Sequence, residues 1–300
     1  MSVSVGVIGT KGGIGKTTIV SNLGAILADM GFRVLIIDAD PQASVSKYFK
    51  LHHKAPNGIV EFLLGENSTE LMRSVISKTV FPNLDIILSN DFKDDVRRRV
   101  DERIDRAFLV MSKLVMPFFD KSYDFILFDT QGAVGPVQDA VALASTVLLT
   151  PIKPDVLSVR EFISGTQESL NRIRHSAVMN LKVPPMKALI YAQDRTRDSR
   201  MISEEVKNYF KVNFLDGNQK LLNTIIPAQK AFKEAATLQT PVHCIEREHP
   251  GKSEPALQIM LDLVHELFGI DNKPKFFNEL SNLLPEYVNP ENADKEDTHD

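Results

Sequence analysis

The sequence predicts an α/β fold, a doubly wound, mostly parallel sheet with helices on both faces. Two observations carry this. Short β-branched runs recur between longer helix-patterned segments, and the runs lack polar alternation, as strands covered on both faces do. Strand and helix then alternate along a chain of 300 residues, the order of a wound sheet.

The strand-like runs are VSVGVIG from Val3, RVLIID from Arg33, LDIILS from Leu84, YDFILFD from Tyr123, TVLLTPI from Thr146 and KALIYA from Lys187. The first helix is expected over Lys16 to Met30, stopped by Gly31 where a C-terminal cap belongs. Lys93 to Arg106 contains three consecutive arginines. Its acids precede its arginines by four residues, as in Asp94 with Arg98, Asp95 with Arg99 and Glu102 with Arg106, which predicts a self-paired exposed helix. Glu254 to Phe268 and Lys275 to Leu284 have the spacing of amphipathic helices, and Phe276 with Phe277 would pack the latter. Residues 286 to 300 turn to Asn, Pro and acids and read as a disordered acidic tail.

Composition narrows the function classes. With 43% hydrophobic and 25% charged residues the chain can bury a substantial core. Its longest stretch free of Asp, Glu, Lys and Arg is the 13 residues from Ala140 to Ile152, short of the roughly 20 a membrane helix needs. No signal-peptide pattern opens the sequence, and the single cysteine, Cys244, excludes an intrachain disulfide and any CxxC motif. A cytoplasmic protein is expected. The net charge of −4 is uneven: Arg172 to Lys233 holds twelve Lys or Arg against five acids. That is the one compositional hint of a polyanionic partner. The histidines show no metal-binding spacing; His52 and His53 fall in an expected loop, and His243 beside Cys244 reads as packing.

The chemistry concentrates in VIGTKGGIGKTT, residues 7 to 18. A phosphate loop reads G-x-x-x-x-G-K-[ST]; here Thr10 replaces the first glycine, while Gly15, Lys16 and Thr17 supply the end. Gly12, Gly13 and Gly15, on either side of Ile14, let the backbone turn its N–H groups inward, and the following helix adds its positive end. Lys16 would reach the β- and γ-phosphates of a nucleoside triphosphate, and the Thr17 hydroxyl would ligate Mg²⁺. Asp38 and Asp40 close RVLIIDADPQ and Asp129 closes YDFILFD, so all three carboxylates should emerge at the carboxyl edge of the sheet, beside that loop. One acid would hold the metal's water shell and another orient an attacking water.

Lys11 to Thr18, with DADPQ at 38 to 42, the Asp129 strand and IIPAQKAFKEA at 225 to 235, resembles the deviant Walker A ATPases of the ParA/MinD superfamily, and specifically the ParA partition ATPases. The likeness runs from about residue 3 to residue 270 and implies a P-loop NTPase domain over 1–285 followed by the tail. It implies ATP and Mg²⁺ as cofactors. Lys11 becomes the signature lysine that reaches the partner subunit's nucleotide in an ATP-bound homodimer, Thr18 an α-phosphate contact, Asp40 the residue that orients water, Asp38 and Asp129 the acids around the metal, and Pro227 a neighbour of adenine. It also implies slow hydrolysis stimulated by a centromere-binding, ParB-type protein. Non-specific DNA binding would use basic residues of the C-terminal half, here Arg195, Arg197, Arg200, Lys230 and Lys233. The sequence departs from the family at Gln131, usually Pro or Ala, and at Ala228 and Ala231, which stand where some members carry DNA-binding arginines. The likeness is to the shorter members, without an N-terminal helix-turn-helix. A membrane-positioning role is disfavoured by the acidic C-terminus, and a cluster-bearing dimer by the single cysteine. The alternative reading is a cargo-positioning or conjugation accessory ATPase that acts mainly through protein partners.

Overall fold

In a computed structural model the described residues are 2–91, 93, 95–176, 183–215, 217–248 and 253–274. The expected helix at 275–284 and the acidic tail lie outside them. In chain order the elements are β1 Val3–Val7, α1 Lys16–Asp29, β2 Val34–Ala39, β3 Leu51–His53, α2 Ile59–Leu64, α3 Thr69–Ser74, β4 Ile76–Thr79 and β5 Leu84–Ile87. There follow α4 Asp95–Asp101, α5 Leu109–Leu114, α6 Pro117–Ser122, β6 Phe125–Thr130, α7 Pro136–Ala144, β7 Val147–Ile152, α8 Val156–Glu161, α9 Gln167–Ser176 and β8 Met186–Gln193. The last are α10 Arg197–Asn213, β9 Gln219–Pro227, α11 Lys230–Thr237, α12 Val242–Ile245 and α13 Ala256–Phe268.

These strands form a nine-stranded sheet in the order β3-β4-β5-β2-β6-β1-β7-β8-β9. Every pairing is parallel except β3 with β4 and β4 with β5. Alternate side chains of the buried strands feed different layers, as a period of two requires. Val34 and Ile36 of β2 join the core with α1 and α13, while Leu35 and Ile37 join the one with α2, α5 and α7. A third cluster packs α9 and α10 under β7 and β8. The expected doubly wound sheet is therefore what forms.

All six expected strands are present, and three more join them. His52 and His53, expected in a loop, lie in β3 at the sheet edge, and β4 and β9 add to the two sides. These three mix buried with exposed or half-buried residues, or are very short, so they lack the continuous apolar run that marks a central strand. The arginine-rich helix is also shorter than expected, ending at Asp101. Its ion pairs are Arg98 with Asp95 at 3.5 Å and with Glu102 at 3.7 Å, while Arg106 turns back to Asp101 at 2.6 Å. The expected pairs Asp95–Arg99 and Glu102–Arg106 do not form: Arg98 engages both Asp95 and Glu102, and Glu102 and Arg106 no longer share a helix. Asp94 lies outside the described residues. At the other end α13 runs from Ala256 to Phe268 and stops at Gly269, whose φ of 68° makes the left-handed cap.

Candidate functional site

Register places the site. Across β1, β6 and β2, Val7 stands opposite Asp129 and Asp129 opposite Asp38, so the loop after β1 and both carboxylates leave the sheet at one edge. That edge, at the carboxyl ends of parallel strands, is where ligands enter such sheets.

The loop from Gly9 to Gly15 leads directly into α1. Gly15, with φ 97°, takes a left-handed conformation that a side chain would strain. Ile14 is buried, so it anchors the loop and only its backbone can face a ligand. Lys16 is buried as well, and its Nζ donates to the Lys11 carbonyl at 3.3 Å. Burial lowers its pKa, against the opposing pull of Asp129 and Asp40. After β6, Gly132 lies against the loop, since a Cβ there would sit 2.8 Å from the Gly12 nitrogen.

The acids divide their work. Thr17 Oγ1 donates to Asp129 Oδ2 at 2.8 Å, while the other oxygen of this fully buried carboxylate has no hydrogen-bond partner. Burial and then the charge of Asp38 push Asp129 up to about 8. Asp38 is pushed up to about 6, chiefly by burial. Its oxygens accept from the N–H of Asp40 and from both N–H and hydroxyl of Ser46, so it braces the turn after β2. Asp40 accepts from the N–H of Gln42 at 2.9 Å and faces the cleft.

The cleft measures about 400 Å³, within the range of small-molecule sites. Its floor is Gly12, Gly13 and Gly15 to Thr18; Asp40, Gln42 and Ser44 form one wall, Gln131 and Gly132 another, and Tyr191 closes the side toward β8. Pro227 ends β9 opposite Gln193 and does not line it. Lys11 does not line it either. Its Nζ turns outward to Ser158 Oγ at 3.0 Å and Asp155 Oδ1 at 3.7 Å, at the start of α8. Gln42, Ser44 and Tyr191 were not expected from sequence. Tyr191 had a signal, since it sits at the carboxyl end of a recognisable strand.

The Thr17 hydroxyl beside a buried carboxylate with one unpartnered oxygen fits a Mg²⁺ site, because this ion binds through few protein oxygens and keeps water and phosphate as its other ligands. Among the described residues no three His, Cys, Asp or Glu converge as a metal cluster, which Mg²⁺ does not require.

The proposed DNA contacts collect at the same sheet edge, after β8 and β9. Arg197 and Arg200 are exposed in the first turn of α10, and Lys233 is exposed on α11. Arg195 donates to Ser253 Oγ at 2.9 Å, and Lys230 is paired with Glu234. Much of the basic bias from 172 to 233 is internally engaged: Arg172 with Asp139, Lys207 with Glu204, and Lys187 with the last carbonyls of α13. No helix among the described residues is long and apolar enough to cross a membrane.

A family profile described as an AAA domain matches residues 3–183. The sporulation initiation inhibitor protein Soj of Bacillus subtilis is 26% identical over 265 residues, covering 88% of this chain and 97% of its own. The chromosome partitioning protein ParA of Caulobacter vibrioides is 27% identical over 233 residues, 77% of this chain and 83% of its own. Among solved structures, the septum site-determining protein MinD of Pyrococcus horikoshii, complexed with Mg-ADP, superposes with a TM-score of 0.64 at 18% identity over 89% of this chain and 96% of that one. Fold, phosphate loop and relatives agree: the chain is a member of the AAA domain family and, within it, belongs to the ParA family of partition ATPases.

Proposed function

We propose that the protein is an ATP-driven switch for DNA partition, in which Mg-ATP joins two copies that bind DNA without sequence preference and hydrolysis releases them. The observation that carries this is the loop's two lysines with separate destinations, Lys16 buried toward the cleft and Lys11 held at the surface of α8. Lys16 and the loop N–H groups bind the phosphates, and Thr18, at the start of α1, contacts the α-phosphate. Thr17 and Asp129 would hold Mg²⁺, which would supply positive charge against the triphosphate. Asp38, expected beside the metal, has both oxygens engaged by the Asp40 N–H and by Ser46, and acts one step back, by fixing the turn that presents Asp40. Asp40 accepts a hydrogen bond from water at the cleft and orients it. Lys11 exchanges its contacts on α8 for the partner subunit's nucleotide, so association depends on the γ-phosphate. Turnover is slow and is accelerated by a centromere-binding, ParB-type protein. The protein works in the cytoplasm, on the nucleoid while ATP is bound.

The experiment is fluorescence anisotropy of a random-sequence DNA duplex titrated with the protein, in Mg-ATP and in Mg-ADP, at two salt concentrations. Binding in ATP alone, weakening steeply with salt as phosphate contacts do, supports the partition reading. A specific observation favours a second reading, a cargo-positioning or conjugation accessory switch that acts through proteins: Ala228 and Ala231 occupy arginine positions, and Arg195 and Lys230 already have partners. ATP-dependent dimers that ignore DNA in both nucleotide states establish that reading instead.

A further inference from the structure

The carboxyl end of β8 is built irregularly, and the irregularity aims one side chain. Pairing of β8 with β9 slips between Tyr191 and Gln193, and Ala192, a residue with a side chain, has a φ of 54°. The left-handed region is costly for alanine and persists where the surroundings hold it. Here Gln193 is tied on both sides: its side chain donates to Ser203 Oγ at 2.6 Å, and its carbonyl accepts from the Ala228 N–H at 2.8 Å. The result presses the Tyr191 ring onto the phosphate loop. A Cβ on Gly15 would meet three atoms of that ring at 2.4 to 2.6 Å, among them the carbon that bears the hydroxyl. Tyr191 is only half-buried and lines the cleft, with its inner edge against the main core. Its hydroxyl has no hydrogen-bond partner among the described residues.

We infer that Tyr191 is a nucleotide-binding residue: its ring holds Gly15 and the loop in the phosphate-accepting shape, and its hydroxyl donates to an oxygen of the bound nucleotide. This rests on the reading of the cleft as an ATP site, and adds a contact from the β8 side that the phosphate-loop pattern does not contain. The oxygen belongs either to the ribose or to the phosphate chain, and both are acceptors within a cleft that already carries Lys16 for the phosphates.

The test is calorimetric titration of the full chain, as wild type, Tyr191→Phe and Tyr191→Ala, with Mg-ATP and with Mg-tripolyphosphate. Alongside it, ¹⁹F spectra of 3-fluorotyrosine-labelled protein follow the five tyrosines, the Tyr191 signal being the one missing from Tyr191→Phe. Tyr191→Phe should weaken ATP about three- to tenfold, the worth of one hydrogen bond, and Tyr191→Ala should weaken it further. The Tyr191 signal should move on adding ATP. Parallel weakening of tripolyphosphate by Tyr191→Phe places the acceptor on the phosphates; weakening of ATP alone places it on the ribose. If both variants, folded by their melting curves, bind ATP as wild type does and the signal stays still, the inference about Tyr191 fails while the ATP site stands. If wild type itself does not bind ATP, both fail.

Discussion

Lys11 and Lys16 leave one loop five residues apart and end in opposite environments. Lys16 is 6% exposed and points into the cleft, where its ammonium has a single carbonyl for a partner and its attraction to Asp129 and Asp40 does not overcome the cost of burial. Lys11 is a third exposed and rests on a hydroxyl and a carboxylate of α8. One short motif thus holds a buried cation short of partners beside a partly exposed one already paired. A buried ammonium short of acceptors is a site prepared for an anion. A partly exposed one with a weak, screened partner can leave at little cost.

The contrast breaks most directly at Lys16. Lys16→Ala should weaken ATP by about 100-fold or more, since charge-assisted bonds in a dry site contribute up to about 3 kcal/mol; calorimetry reads this, and binding within tenfold of wild type would remove Lys16 from the phosphates. A buried cation elsewhere sharpens the point by lacking such a need. His243 is 1% exposed and sits 3.2 Å from Asp29. Burial pushes its pKa down, but Cys244 and Asp29 outweigh that and hold it at about 9, above the ordinary 6.5. A raised folded pKa stabilises fully below pH 6.5 and is lost as pH climbs through about 9, a swing of about 3 kcal/mol at one unit per 1.36 kcal/mol. Denaturant unfolding at pH 6 and pH 9.5 should reveal the loss, and His243→Gln should be less stable at pH 6 and lack the alkaline slope. Lys16→Ala should leave stability without ATP unchanged or raised, because a buried ammonium with one carbonyl partner contributes little to the fold.

Most of this arrangement could be read from the sequence, for physical reasons that differ by residue. The buried central strands are continuous apolar runs, and the loop, Asp38, Asp40 and Asp129 sit at their ends, so register alone unites them. What escaped was set by contacts made only once the chain has folded. The edge strands β3 and β9, and β4 beside the short β3, have mixed patterns because they lie at the margins of the sheet. Asp38 belongs to Ser46 through the fold of a turn, and Tyr191 meets Gly15 through a bulge that no local pattern announces. The outward path of Lys11 depends on α8, more than 140 residues later in the chain.

Lys11→Ala should leave ATP affinity within about threefold, as a partly exposed group on no phosphate of its own subunit, while sedimentation velocity in Mg-ATP shows the dimer weakened by tenfold or more. A dimer as strong as wild type would end the exchange role. Asp155→Asn then tests the other half of the comparison with the smallest effect. Asparagine keeps the capping of α8, where Asp155 accepts from the Ser158 N–H at 2.8 Å, and removes the charge that faces Lys11 at 3.7 Å together with the oxygen that accepts from the Ser158 hydroxyl. Both side chains are over a third exposed, so the pair contributes less than about 1 kcal/mol. Freed of it, Lys11 should reach the partner at lower cost, and ATP-dependent dimers should tighten by at most about fivefold for each Lys11 released. The gain should fade as salt approaches 1 M, because screening already weakens the pair in wild type. A dimer that loosens instead would mean that Asp155 serves the interface itself, and that Lys11 is not held back by its own subunit.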